Sequence, residues 1–484
     1  MKKRIICLAD NHFDYERIQN KQTSSIWRMI NLRRPLNFRY YSRDNACSGN
    51  YTLVAKSPTV QPVNFNEPTH VHIAYGDRID QMYVSYLTNS SEYVPKCQYG
   101  LAPDSLDFID EGTTITYQAS DMCEGKAIII GPQNFINPGF MHTILLKDLQ
   151  PSTTYYYRVG TDEHGWSNIY SFTNRPATKQ ESVYMVAYGD IGVASFAPGA
   201  NATTQRVTAR VLSSNFTCLL HIGDISYARG FGALWDAFMI QMQPVAAHIP
   251  YMTGIGNHEY DHVTGGDKDP SHAPGQGGFR PKWGDYGTDS GGECAVPMVR
   301  RFHSPSNGNG IFWYSFNVGP VHILYFSTEH NFLINSTQYD WIDNDLRSVN
   351  RTLTPWLIVG SHRHMYSSQY DSAGENNIAA NLQLHLEPLF YKYHVDLNLF
   401  AHRHSYERTC PMFQNKCVSD GVTHVLIGMA GQSLDTSKYQ SVEWSKYRDI
   451  QFGYTTIYAN QTYLQFTYYH DSDDQIADQF ELHK

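Results

Sequence analysis

The sequence contains no apolar run approaching the roughly 20 residues that a bilayer-spanning helix requires, so nothing in it reads as a membrane span. It also lacks a basic excess. The formal net charge of −9 argues against nucleic acid as a partner, because a phosphate backbone calls for a basic face. A small anionic substrate is still allowed, since bound metal cations would dominate the local field. Eight cysteines in 484 residues are too few for a disulfide scaffold, and none forms a C-x-x-C pair. There is no low-complexity tract and no internal repeat. What the chain does have is aromatic side chains: 35 Tyr and an aromatic content of 14% favour strands and pleated surfaces. Its length predicts two or three domains.

The compartment is read from small signals. Met1-Lys2-Lys3-Arg4 is basic, but the apolar stretch from Ile5 to Ala9 is far too short for a signal peptide. These are ordinary N-terminal residues, or the true start lies upstream. Seven Asn-x-Ser/Thr sequons, at Asn50, Asn89, Asn201, Asn215, Asn335, Asn350 and Asn460, favour a secretory route ending outside the cell or in a vacuole or lysosome. Cys410 and Cys417 bracket a loop and could bridge locally, as could Cys97 and Cys123. Cys218, inside an apolar run, reads as a buried thiol.

Residues 1 to about 60 give no readable pattern and are taken as an irregular extension. From about 61 to 175 short alternating runs are broken by turn residues: His70 to Ala74, Gln81 to Leu87, Thr113 to Tyr117, Lys126 to Ile130 and His142 to Leu146. Closely spaced strands with no helical period between them predict an all-β sandwich. The stretch Leu149-Gln150-Pro151-Ser152-Thr153-Thr154-Tyr155-Tyr156-Tyr157 resembles a strand of fibronectin type III domains. Residues 174 to 182 read as a linker. Beyond Ser182, strand-length runs alternate with helical spacing. The expected strands are Val183 to Tyr188, Phe216 to Ile222, Val321 to Phe326, Trp356 to Val359, Val395 to Phe400 and Val425 to Gly428. Helices are expected over Gln205 to Ser213, Leu234 to Ala247, Thr337 to Val349 and Ile378 to His394. This alternation signals an α/β domain over residues 180–484.

The chemistry is concentrated just after those strands. Gly189-Asp190-Ile191-Gly192 follows the first, and Gly223-Asp224-Ile225-Ser226-Tyr227 the second. Then come Gly256-Asn257-His258-Glu259, Gly360-Ser361-His362-Arg363-His364, and Ala401-His402-Arg403-His404. Taken alone, a Gly-Asp after a strand is usually a turn. Five such clusters in order, each at a carboxyl end of an α/β sheet, are where that fold gathers ligands. Carboxylates and a phenolate suit a trivalent iron, whereas imidazoles and an amide oxygen suit a softer divalent ion. Two metals need a shared ligand, and a carboxylate with two oxygens can supply it.

The ordered series GD-x-G, GD-x-x-Y, GNH-E, a His after a strand and H-x-H resembles that of the metallophosphoesterases. The Tyr three residues after the second Asp resembles the purple acid phosphatase branch. Asp289-Ser290-Gly291-Gly292-Glu293-Cys294 and His404-Ser405-Tyr406-Glu407-Arg408-Thr409-Cys410-Pro411 are similar to its long, plant-type forms. The resemblance covers residues 60 to 484. It implies a fold in which two sheets flanked by helices follow a fibronectin III-like domain. It implies that Asp190, Tyr227 and His404 bind Fe(III), that Asp224 bridges, and that Asn257, His362 and His402 bind a divalent zinc, iron or manganese. By the same resemblance His258 contacts the phosphate, and a metal-bound hydroxide attacks small phosphate monoesters at acid pH. Members of this length are often homodimers.

Two departures stand out. Ala401 occupies a position that is Gly in many plant members. The loop Tyr366 to Asn377 has no histidine where many carry a pair that acts on substrate and leaving group, and His364 is the candidate replacement. A phosphodiesterase or nucleotide pyrophosphatase on the same metals is the alternative reading. A non-enzymatic binding protein is a third, weighed against by the seven intact ligand positions.

Overall fold

The computed structural model describes residues 3–9, 12–18, 35–43, 51–177, 181–260, 268–272 and 279–484. The sequon at Asn50 lies outside them. The half from Val183 onward is set by how strands are buried. Along Val183–Tyr188, Val183, Met185 and Ala187 face one apolar cluster while Val186 and Tyr188 face another. Successive side chains of a strand point to opposite faces, so a run that is apolar on every position is covered on both sides. One side is a second sheet and the other is helices.

The first sheet has six strands. Tyr251–Thr253, Cys218–His221 and Val183–Tyr188 run parallel, and Gly453–Ala459, Tyr463–His470 and Ile476–His483 continue the sheet antiparallel. The second has eight strands around the parallel set Val321–Tyr325, Trp356–Gly360, Leu397–Phe400 and Val422–Ile427. Met185, Leu220, Ile323, Ile358, Leu399, Val425 and Ile457 belong to one buried cluster drawn from both sheets. Helices Ala200–Ser213 and Ala233–Ala246 cover the outer face of the first sheet through Val207, Val211, Phe238 and Met242. The α/β two-sheet architecture is as the sequence implied.

The all-β part is a sandwich of a four-stranded sheet, containing Thr69–Tyr75, Met82–Thr88 and Phe140–Leu146, on a five-stranded one, containing Lys96–Gly100 and Thr154–Thr161. It is not a loose appendage. The Tyr157 hydroxyl donates to the Ala247 carbonyl at 2.7 Å, and Tyr75 donates to that of Thr217 at 2.8 Å. Within the stretch read as a linker, Arg175 is buried. Its guanidinium donates to the Gly76 carbonyl at 3.0 Å on one side and to that of Asn317 at 3.4 Å on the other.

Several local expectations are corrected. Residues 1–60 are not irregular throughout. Lys3–Ala9, His12–Ile18, Arg39–Arg43 and Tyr51–Lys56 pair as a four-stranded antiparallel sheet, whose uneven sequence gave no alternation to read. Lys126 to Ile130 is no strand, because Gly125–Ile128 forms a 3₁₀ turn between glycines and leaves Ile128 to Ile130 exposed. The helix expected over Ile378 to His394 is two, Ala373–His385 and Glu387–Lys392, since Pro388 has no N–H to continue the first. Cys97 does not pair with Cys123. It is a buried thiol in the sandwich, and Cys123 instead bridges to Cys294, 171 residues away. Nearness in sequence was a poor guide there, whereas Cys410–Cys417 closes its hairpin as expected and Cys218 is a free buried thiol.

One buried acid reports on packing between the helix layer and the C-terminal strands. The Thr203 hydroxyl meets both the Ala430 carbonyl and Asp471 Oδ2, the latter at 2.5 Å, yet it has a single proton to give. Asp471 Oδ1 is buried without a partner. Burial, only partly offset by Thr203, Arg206 and His470 and reinforced by Asp474, pushes this carboxyl up to about 6. A protonated Asp471 can donate to Thr203 and resolve the conflict. A raised folded-state value in an acid costs stability progressively as pH rises from its unfolded value near ~4 toward 6. Asp471→Asn is therefore expected to raise the melting temperature relative to the parent protein above pH 6, by the equivalent of about 1–3 kcal/mol. The gain should vanish at pH 4. A gain that is the same at both pH values would contradict this account.

Candidate metal centre

Every parallel strand named above ends at one edge of its sheet, and the two sheets bring those edges together. Asp190 follows Val183–Tyr188, Asp224 and Tyr227 follow Cys218–His221, and Asn257 follows Tyr251–Thr253. From the opposite sheet, His362 follows Trp356–Gly360, and His402 and His404 follow Leu397–Phe400. The chain leaves the strands by turns that L-residues rarely adopt: Asp190, Asp224, Tyr227 and His402 have φ of 60°, 53°, 52° and 70°. Such conformations persist where the surroundings over-determine them, and they gather at functional sites. Glycine makes room beside them. A Cβ on Gly256 would strike Asp224 Oδ1 at 2.2 Å, and one on Gly223 would strike His362 Nδ1 at 2.7 Å. Ala401 fits its buried position because its Cβ faces Gly189, so the departure from glycine is accommodated by the strand opposite.

The seven sequence-assigned positions fall into two triangles. Asn257 Oδ1, His362 Nε2 and His402 Nδ1 are separated by 2.9, 3.0 and 3.3 Å. Tyr227 Oη, Asp190 Oδ1 and His404 Nε2 are separated by 3.0, 3.0 and 3.5 Å. Asp224 lies between them: its Oδ1 is 3.3 Å from His362 Nε2, and donor atoms of Asp190, Asp224 and His362 fall within 4.8 Å of one another. Lone-pair atoms crowded in this way cannot all be satisfied by protons they mostly lack. Ligands held about 2.0–2.2 Å from one cation stand about 3 Å apart around it, so the spacing is that of a coordination shell. The residues fit a pair of metal ions.

Electrostatics points the same way. Asp190 and Asp224 are 0% and 1% exposed, and buried carboxylates require cations or hydrogen bonds. Burial alone would depress His362, yet Asp224 and Asp190 carry it up to about 10. Burial likewise opposes a charge on His404, and Asp190 still lifts it to about 9. Without a cation, the cluster would protonate its own histidines. Tyr227 is pushed well above the ordinary phenol value by burial and by the same two carboxylates. Only a strongly charged ion beside it would draw off that proton.

Each imidazole is oriented from behind. His362 Nδ1 lies 3.0 Å from the Ile222 carbonyl and His404 Nδ1 2.7 Å from that of Ser433. His402 presents Nδ1 to the cluster while its Nε2 lies 3.2 Å from Glu375 Oε2. Glu375 is held in turn by Arg363 at 2.6 Å, and Arg363 by Glu329 at 2.8 Å. His258 sits at the mouth. Its backbone N–H donates to Asp224 Oδ1 at 2.9 Å, and its Nδ1 is 2.9 Å from the Asp289 carbonyl. His364 is elsewhere: buried, with its ring 6.3 Å from that of His402 and 6.5 Å from that of Phe400, and lowered by burial to about 3. It backs His402.

Sequence reasoning missed the residues that hold the ligands. Glu259 accepts the N–H groups of Asp224, Ile225 and Gly256 at 2.8, 2.8 and 3.0 Å and so ties two loops together. Asp289 accepts from the Asn257 amide at 3.0 Å. Both stood inside motifs that had been singled out, so the signal was present without a role. Glu375 gave none, because nothing in the sequence shows a helix's first turn facing His402.

Comparison with known proteins follows the same division of the chain. Residues 68–174 match the model "Purple acid Phosphatase, N-terminal domain", 185–406 "Calcineurin-like phosphoesterase", and 421–479 "Iron/zinc purple acid phosphatase-like protein C". A protein of Arabidopsis thaliana, "Probable inactive purple acid phosphatase 9", is 33% identical over 86% of this chain and 67% of its own length. The chain belongs to the purple acid phosphatase family. Members of the family work through a binuclear metal centre. A purple acid phosphatase from yellow lupin seeds superposes with a TM-score of 0.81 at 30% identity, over 94% of this chain and 80% of its own. A barley (Hordeum vulgare) relative named "Nucleotide pyrophosphatase/phosphodiesterase" is 32% identical over 66% of this chain and 88% of its own length.

The relay behind His402 yields a prediction. Glu375→Gln keeps the shape of the side chain but removes the charge that fixes His402, and changes of this kind lower metal affinity about 10–100-fold. Titration against a competing chelator should show one weakened cation site and one unaffected. Two sites weakened equally, or none, would mean that Glu375 does not act through His402.

Proposed function

We propose that this chain is a binuclear metallohydrolase that cleaves phosphate esters, with Asp190, Tyr227 and His404 holding iron(III) and Asn257, His362 and His402 holding a divalent zinc, iron or manganese. Asp224 offers one oxygen to each side. The observation that carries this reading is the pair of donor triangles, one rich in anionic oxygen and one in nitrogen, with a carboxylate between them. Bound cations supply two things: a lowered pKa for a coordinated water and neutralisation of phosphate charge.

The protein's own groups do the rest. The two buried carboxylates and the phenol fix the positions at which charge is received. Backbone N–H groups of His258 and His402 donate to Asp224 and Asp190, and Glu259 anchors the loop that carries Asp224, so these charges are held in place before a substrate arrives. His258, at the mouth beside Asp224, is placed to contact an oxygen of the phosphate. His364 has no place at the leaving group in this reading, and the loop Tyr366 to Asn377 contributes a carboxylate behind a ligand in place of a histidine before the substrate. The names of relatives divide between inactive and active proteins. All seven ligand positions filled and convergent support an active one.

Phosphomonoesters are the first substrate class, and phosphodiesters or nucleotide pyrophosphates the second, the latter favoured by the barley relative. Two disulfides support an oxidising compartment. Of the six described sequons, those at Asn89, Asn201, Asn215, Asn335 and Asn350 are exposed, as a glycosylated, secreted or vacuolar protein requires.

The deciding measurement is the visible absorption spectrum of the mildly oxidised protein. A purple colour is expected, lost in Tyr227→Phe. Asp224→Asn should lower hydrolysis of p-nitrophenyl phosphate by at least about 100-fold, since it removes the charge between the two ions. A colourless, metal-loaded protein would remove iron(III) from the assignment. Activity unchanged in Asp224→Asn would remove the hydrolase itself.

A further inference from the structure

One arginine at the site is unlike the others. Arg363 is buried and paired with Glu329 and Glu375, and Arg403 lies 3.2 Å from Asp371. Arg229 is exposed, and among the described residues no carboxylate lies within ion-pair distance of it. It nevertheless has a defined place. Its Nη2 stands 3.3 Å from His258 Nε2, and its guanidinium lies 5.3 Å from the centre of the Tyr227 ring. With His258 Nδ1 donating to the Asp289 carbonyl, Nε2 carries the lone pair that Arg229 meets.

The backbone holds it there. Arg229 has a φ of 52° and is followed by Gly230 at 82°. A Cβ on the neighbouring Gly291 would strike the Arg229 carbonyl at 2.4 Å, so the Asp289–Glu293 loop packs directly on this turn. A left-handed arginine clamped by a glycine loop keeps its side chain at the rim. The same His258 Nε2 faces Asp224 Oδ2 at 3.8 Å. The exposed guanidinium therefore flanks the cluster, against His258 and the ring of Tyr227.

We propose that Arg229 is a specificity-determining residue: beside His258 it forms a subsite for a second, non-reacting phosphate, and so lets a site that takes monoesters hold pyrophosphate-linked compounds such as nucleoside diphosphate derivatives more tightly. The inference rests on the phosphoesterase reading of the cluster and names its substrate class. A guanidinium presents a planar fork that matches phosphate oxygens in pairs, and it remains charged at any working pH. A simple monoester spends its only phosphate at the cluster and leaves Arg229 unused. A pyrophosphate carries a second anionic centre one bridging oxygen away, on the side where the unpaired guanidinium waits. The exchange requires no buried charge to move, because Arg229 gives up a neutral imidazole partner for an anionic one.

Binding decides the matter without turnover. Metal-loaded full-length protein would be titrated calorimetrically with orthophosphate and with methylenediphosphonate, whose P–C–P link resists hydrolysis. The parent protein should bind the diphosphonate more tightly. Arg229→Gln should weaken the diphosphonate at least tenfold more than orthophosphate, and Arg229→Lys should recover part of the difference. Equal weakening of both ligands would place Arg229 on the reacting phosphate and overturn the proposal. No weakening of either, or no binding of the diphosphonate, would also overturn it. Tight, Arg229-dependent diphosphonate binding in a protein that hydrolyses nothing would leave the subsite standing and refute the hydrolase reading.

Discussion

Two carboxylates, Asp190 and Asp224, are buried within a few ångströms of each other at the meeting edge of two sheets, and the rest of the molecule is organised around tolerating them. Buried like charges are expensive unless cations compensate. The protein makes this arrangement unavoidable. Left-handed turns fix both aspartates, Gly428 and Gly256 leave room for Asp190 and Asp224, and Glu259 gathers the backbone N–H groups of Asp224, Ile225 and Gly256. The uncompensated field is what raises His362 and His404 and what keeps the Tyr227 proton in place. A site strained in this way gains its stability from the ions it is shaped to receive.

Support for the site comes from outside its own domain as well. The sandwich shares a continuous apolar cluster with both sheets of the α/β domain, running from Val71 and Tyr157 through Met185 to Ile358. Arg175 bonds to carbonyls on each side of the junction. Cys294, bridged to the sandwich through Cys123, follows directly on the loop whose Asp289 steadies Asn257 and His258. The N-terminal domain is therefore part of what orients the metal ligands, although none of its residues reaches them.

The ligands were legible in the sequence because each follows a strand whose apolar run is easy to see, and because glycine marks the turn that delivers it. The two-sheet architecture was legible for the same reason. What escaped was everything fixed by contact rather than by pattern. Glu375 reaches His402 across a helix start, and Cys123 reaches Cys294 across 171 residues. His364 resembled a replacement for missing histidines on spacing alone, and its burial against Phe400 is a tertiary fact. The strands described before residue 60 have pairing partners, such as Ile6 with Arg39, that carry no matching alternation. Pattern reports which residues a strand presents, but not what stands behind them.

The Cys123–Cys294 bridge has a bearing on how the protein withstands proteolysis. Between these two cysteines run the junction of the domains, the turns bearing Asp190, Asp224 and Tyr227, and the Asn257–His258 loop. A protease that nicks an exposed turn between Tyr227 and Asn257 produces two fragments that remain one covalent molecule, with Asp190, Asp224 and Tyr227 on one and Asn257, His362, His402 and His404 on the other. The shared apolar cluster and the bound ions would keep the fragments in register. In an oxidising medium the protein can thus be cleaved and stay assembled, whereas reduction of a single bond would let the same nicked molecule come apart.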